Sequence, residues 1–228
     1  ATENSKKEAQ YNLKSFQISD FYDNWEVVET DHFRFHFQTP CTVEDKEQFI
    51  GYREVAYTRI NNFFDAKPIK KIDFFVWNDP QQAEELLGRK LGFANPAICV
   101  INSRTNQTKG HEIAHILSYQ GFKPINKTGL INEGIGVYFD QSKRDYYAEA
   151  KEAIKGKELS IIDLWENPKN YSYELNYPIG GALIAYLFEK GTEKQIRDLM
   201  KEQTLKAARE IYKNFDILIN DFSKRITE

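Results

Sequence analysis

The stretch His111-Glu112-Ile113-Ala114-His115 decides how this chain is read. Two histidines four residues apart on an α-helix project from one face, one turn above the other. Stacked that way, both imidazoles can reach one Zn²⁺ ion at about 2.0–2.1 Å. Glu112 follows the first histidine directly and points off the ligand line, beside an open coordination position. There it can take a proton from a metal-bound water. The chain has 4 histidines, and two of them fall in this pentapeptide. A helix that merely exposes two histidines and a glutamate is the plain alternative, so the downstream sequence has to supply a third ligand.

No histidine follows His115, which excludes the zinc proteases that take a third histidine shortly after the motif. Gly121 is the expected C-terminal cap of the motif helix. A polar connection, Lys123-Pro124-Ile125-Asn126-Lys127, then leads into Gly129-Leu130-Ile131-Asn132-Glu133-Gly134-Ile135-Gly136-Val137-Tyr138-Phe139. This second stretch predicts a helix with Glu133 on its first turns. Such a glutamate could be a third ligand, or simply an acidic residue favoured by the helix dipole.

The pair of stretches resembles the gluzincin metallopeptidases, in which a glutamate on a second helix completes a His-His-Glu zinc site. Asn132-Glu133-Gly134 is similar to the Asn-Glu-Gly of the alanyl-aminopeptidase branch and of smaller bacterial proteins described as peptidase MA-like. The resemblance implies that His111, His115 and Glu133 bind Zn²⁺ and that Glu112 is the general base. The expected reaction is peptide-bond hydrolysis by metal-activated water, with a peptide or protein as substrate. Related enzymes place a Tyr or His from the helical C-terminal part against the oxyanion. Tyr177, ahead of Pro178-Ile179-Gly180-Gly181, is the expected donor, with Tyr171 and Tyr173 as competitors. The family also implies that the strand before the motif helix, here residues 97–102, binds substrate as an added strand. Two departures stand out. Between His115 and Glu133 lie 17 residues, one fewer than in the aminopeptidase branch. The Gly-x-Met-Glu-Asn segment that anchors a free N-terminus in that branch is missing, since the single methionine is Met200. Endopeptidase action is therefore favoured over aminopeptidase action. A non-catalytic binding or surface protein on the same scaffold is the alternative.

Length fits one compact domain or a domain with a helical extension. The chain has 228 residues, 41% of them hydrophobic, with 16 Phe and 13 Tyr, which is ample for a core. A net charge of -3 gives no argument for nucleic acid or an anionic membrane surface. No apolar run approaches the roughly 20 residues that span a bilayer. The polar start Ala1-Thr2-Glu3-Asn4-Ser5-Lys6-Lys7-Glu8 reads as a tether or a trimmed mature end. Export to the periplasm or cell surface, anchored through a removed N-terminus, is the expectation; a cytosolic protein with a cut terminus fits nearly as well. Cys41 and Cys99 allow one disulfide at most, and Cys99 in its apolar run is expected to be a buried free thiol.

The expected fold is α+β and zincin-like: a small mixed sheet with helices, then a mainly helical part. A polar segment is expected over 1–30 and one catalytic domain over 31–228, divided into an α/β part (31–121) and a helical part (122–228). His32-Phe33-Arg34-Phe35-His36-Phe37 alternates strictly, predicting a strand with His32, Arg34 and His36 on its polar face. Thr42 is the expected N-cap of a long amphipathic helix carrying Phe49, Tyr52, Ala56, Ile60 and Phe63. Residues 71–77 predict a second strand, Asp79-Pro80 a short helix ending near Gly88, and residues 97–102 a third strand. Helices are expected over 146–155, 178–190, 193–201 and 204–213.

Overall fold

The structure is a computed structural model and describes residues 6, 20–90 and 92–228. Five strands form one mixed sheet: β1 (Glu26–Glu29), β2 (Phe33–Phe37), β3 (Ile72–Trp77), β4 (Phe93–Asn95) and β5 (Val100–Arg104), in the order β1-β2-β3-β5-β4. The three inner strands run parallel, and each outer strand pairs antiparallel with its neighbour. Parallel neighbours need a crossover, and helix α1 (Lys46–Phe64) supplies one between β2 and β3. Helix α2 (Pro80–Leu87) lies on the return path towards β4 and β5.

Alternation places Phe33, Phe35 and Phe37 in the main core with Phe74, Val76 and Ile101, under α1. The other face of the sheet is covered by a smaller aromatic cluster, where Trp25, Phe75 and Trp77 pack with Ala83 and Leu87 of α2. β3 is therefore buried on both faces, as an inner parallel strand must be. Residues 20–30, assigned from sequence to the polar N-terminal segment, belong to this layer: Trp25 is buried and β1 pairs along β2. Apart from residue 6, the rest of that segment lies outside the described residues.

Helix α3 (His111–Phe122) carries the motif and runs between the sheet and the C-terminal helices. Every residue from His111 to Ser118 is buried, so the helix is enclosed all round rather than amphipathic. Seven helices follow: α4 (Gly129–Tyr138), α5 (Tyr146–Ile154), α6 (Ile161–Glu166), α7 (Tyr173–Lys190), α8 (Glu193–Lys201), α9 (Leu205–Ile211) and α10 (Phe215–Thr227). A capping box of Thr192 and Gln195 starts α8, and Asp145, Ser160 and Thr204 cap α5, α6 and α9. The α+β class, with a sheet followed by a helical part, is as expected. No helix among the described residues is long and apolar enough to cross a membrane.

Several expected boundaries move. Asp45, not Thr42, caps α1, because its carboxylate accepts from Gln48 N–H while Thr42 is tied to Asn78. The run at 97–102 does not begin as a strand. Pro96–Ile98 form a 3₁₀ turn and Cys99 takes a left-handed backbone (φ 53°), so β5 starts only at Val100. The left-handed cap of α3 is Lys123 (φ 47°), with its N–H on Tyr119 O. Gly121 sits inside the helix, where a Cβ would stand 2.9 Å from Phe64 O. Pro178 does not open its helix. The preceding turn, from Tyr173, is held by Asn176, whose Nδ2 donates to Pro168 O, Tyr171 O and Ser172 O. His32 precedes β2, stacks on Tyr57 and meets Glu54, whereas His36 meets Asp73 and stacks on Phe75, so the two do not share a face. Cys41 and Cys99 are both free, and Cys99 is buried.

Candidate metal centre

The site is assembled where α3, α4 and the start of α7 meet the edge strand β4. Helical spacing presents His111 and His115 to the same side of α3, with their Nε2 atoms 3.1 Å apart. Glu133, in the second turn of α4, brings Oε2 to 3.4 Å from His111 Nε2 and 3.5 Å from His115 Nε2. Four ligands at 2.0–2.1 Å around a tetrahedral ion stand about 3.3 Å from one another. Two imidazole nitrogens and a carboxylate oxygen converge here at that spacing, and together they could hold a metal ion. Asn132 Nδ2 lies 3.2 Å from Glu133 Oε1 and 3.4 Å from His115 Nδ1, bracing both groups from the far side.

Close helix packing makes this convergence possible. Gly134 and Gly180 are in backbone contact: a Cβ on Gly134 would stand 2.5 Å from Gly180 O. That approach of α4 to α7 brings Tyr177, one turn before Gly180, beside Glu133. Gly136, two residues beyond Gly134 on α4, leaves room for the His111 ring, where a Cβ would stand 2.6 Å from His111 Cε1. Glycine costs helix stability, so its use at both places reflects the space these groups need.

Glu112 faces β4 and accepts a hydrogen bond from Ala94 N–H. Burial pushes its carboxyl up to about 7; the His111 charge and the Ala94 N–H oppose this, and Glu133 adds to it. A buried carboxyl beside the two imidazoles can take and return a proton. Burial also works against charge on Glu133, but hydrogen bonds and charge from His111 and His115 outweigh it. Glu133 is held well below the usual carboxylate range. Tyr177 stacks on His111 (5.6 Å between ring centroids, 25° between planes) and hydrogen-bonds Glu133. Burial, then the Glu133 charge, raises its phenol and keeps the proton on the oxygen.

All five residues expected from sequence (His111, Glu112, His115, Glu133 and Tyr177) line one cavity of about 260 Å³. The competing tyrosines do not. Tyr171 donates to Asp163, and Tyr173 is 67% exposed, its ring 6.2 Å from that of Tyr177. The strand expected to face substrate is also different. β5 is paired on both sides, so it has no free edge; the cavity is walled by the edge strand β4 through Phe93 and Ala94. Arg89, Lys127 and Asn132 line the cavity too and were not assigned from sequence. Asn132 carries the only signal of the three, as the neighbour of Glu133. Comparison with protein-family models and with curated proteins finds no match to this chain.

Proposed function

We propose that this protein is a zinc-dependent peptidase of the gluzincin kind, acting as an endopeptidase on an extended peptide. The observation that carries this reading is the three-way approach of His111 Nε2, His115 Nε2 and Glu133 Oε2, at 3.1–3.5 Å, beside the buried Glu112. His111, His115 and Glu133 would hold the ion, a two-nitrogen, one-oxygen set that leaves a coordination position free, as catalytic zinc sites do. Zinc bound there supplies Lewis acidity, polarising the scissile carbonyl and acidifying water.

The protein's own groups account for the rest of the chemistry. Glu112 takes the proton of the attacking water and later delivers it to the leaving amine, a role its place in the cavity beside His111, His115 and Glu133 allows. The Tyr177 phenol keeps its proton and donates to the oxygen on which negative charge develops. The edge strand β4, which walls the cavity, can hold the substrate backbone beside it. Among the described residues lining the cavity, Glu112 and Glu133 are the only carboxylates, and both are committed. None is left to hold a free α-amino group, which favours internal cleavage.

Glu112→Gln tests the reading. It should keep zinc at wild-type content and lose hydrolysis of a mixed peptide library by at least about 10²-fold. Wild-type protein that holds zinc but cleaves nothing would favour a binding protein on this scaffold, and an active Glu112→Gln would remove the assigned base.

A further inference from the structure

We propose that the cleft selects peptides carrying a carboxylate close to the scissile bond, with Lys127 as the residue that binds it. This rests on the peptidase reading above and adds the substrate class to it.

The argument starts from charge. Two cationic side chains, Arg89 and Lys127, line the cleft beside Glu112 and Glu133. These two residues come from different elements. Arg89 follows the Gly88 cap of α2, and its guanidinium lies over the Phe93 ring of β4, 4.5 Å from the centroid. Lys127 comes in from the loop ahead of α4, the helix that carries Glu133.

Lys127 is placed to act as a receptor rather than as part of the scaffold. Its Nζ sits 5.0 Å from the centroid of the Tyr119 ring, which steadies an ammonium without neutralising it. Among the described residues, no carboxylate closes an ion pair with it. Its neighbour Thr128 is fixed by a hydrogen bond from its N–H to Gln203 Oε1, at 3.0 Å, so the loop presents the lysine from a held backbone. A carboxylate on the peptide can come from an Asp or Glu side chain or from the chain end. Both would be bound by the same ammonium.

The test uses acetylated hexapeptides in which a single Glu is moved through each position, with Gln and Lys counterparts. Each is made with an amidated and a free C-terminus. Binding is read by calorimetry on the full-length protein, with zinc and after chelation, so the readout does not depend on turnover. At one position at least, the Glu peptide should bind about tenfold more tightly than its Gln counterpart. Lys127→Ala should abolish that gap, and Lys127→Glu should reverse it in favour of the Lys peptide. A free acid that binds more tightly than its amide, whether it carries Glu or Gln, identifies the chain end as the group bound; a Glu-over-Gln gap that persists in amides identifies the side chain. The absence of both a Glu-over-Gln gap and a free-acid-over-amide gap, or a gap that Lys127→Ala leaves intact, overturns the proposal. Failure of the zinc reading registers separately, as missing metal and missing cleavage with the charge preference intact.

Discussion

Gly136→Ala is a demanding test of how the metal ligands are positioned. The added methyl would stand 2.6 Å from His111 Cε1 and 2.7 Å from Nε2, whereas ordinary contact begins at 3.4 Å. The imidazole would have to retreat by 0.8 Å, the difference between 3.4 and 2.6. Zinc-ligand distances tolerate only about 0.2 Å, so His111 would leave the ligand set or pull it out of shape. Disturbing the support of a ligand typically costs 10–100-fold in metal affinity. Displacing the ligand itself should reach at least the upper end, about 100-fold. The control is Gly51→Ala, on α1, where nothing lies within 4 Å of the added carbon. There the helix-propensity gain of about 0.8–1 kcal/mol should appear alone, as a higher midpoint in urea. Zinc affinity is measured by competition with a chromophoric chelator, and stability by urea unfolding in excess chelator. Gly136→Ala binding zinc as tightly as Gly51→Ala would refute the packing argument.

Two further outcomes follow from the same geometry. Tyr177→Phe should keep fold and zinc and lower kcat by about 10²–10³ with little change in KM, while Tyr171→Phe and Tyr173→Phe stay near wild type; loss of activity in either control but not in Tyr177→Phe would move the donor elsewhere. Asp73 is buried on β3 between His36 (2.9 Å) and Lys70 (2.6 Å); burial works against its charge, but these partners hold its carboxyl below the usual value. A depressed folded pKa contributes stability above the unfolded value, about 3.9, and that contribution is lost as pH falls below it. Asp73→Asn should cost about 2 kcal/mol at neutral pH in urea melts, a gap that closes towards pH 3; a gap constant with pH would contradict this assignment.

How much was legible in the sequence follows the range of the interactions involved. The helix from Asp79-Pro80 to Gly88 was readable because its caps are local, and the structure shows Asp79 accepting from Gln81 and Gln82 N–H. The alternating phenylalanines of β2 were readable because one face of the strand is fully buried. β4 was not readable: three residues, Phe93–Asn95, become a strand only by pairing with β5. β1 was hidden for a related reason, since Glu26-Val27-Val28-Glu29 has two apolar residues and depends on β2 for its register. At the site, His111, His115, Glu133 and Glu112 were visible from spacing and resemblance. The glycine contacts that bring α4 to α7, and the cations Arg89 and Lys127, are products of tertiary packing. Gly134, Gly136, Gly180 and Gly181 offered a signal, four glycines inside apolar helices, that marks close approach.

The central claim is that His111, His115 and Glu133 hold one zinc ion. The direct measurement is metal content by mass spectrometry of protein purified without added metal, and again after zinc loading and exhaustive dialysis. Wild type should retain about one zinc per chain, while His111→Ala, His115→Ala and Glu133→Ala should each lose it and remain folded. Zinc retained at the wild-type level by all three variants, or none retained by wild type after loading, would contradict the account.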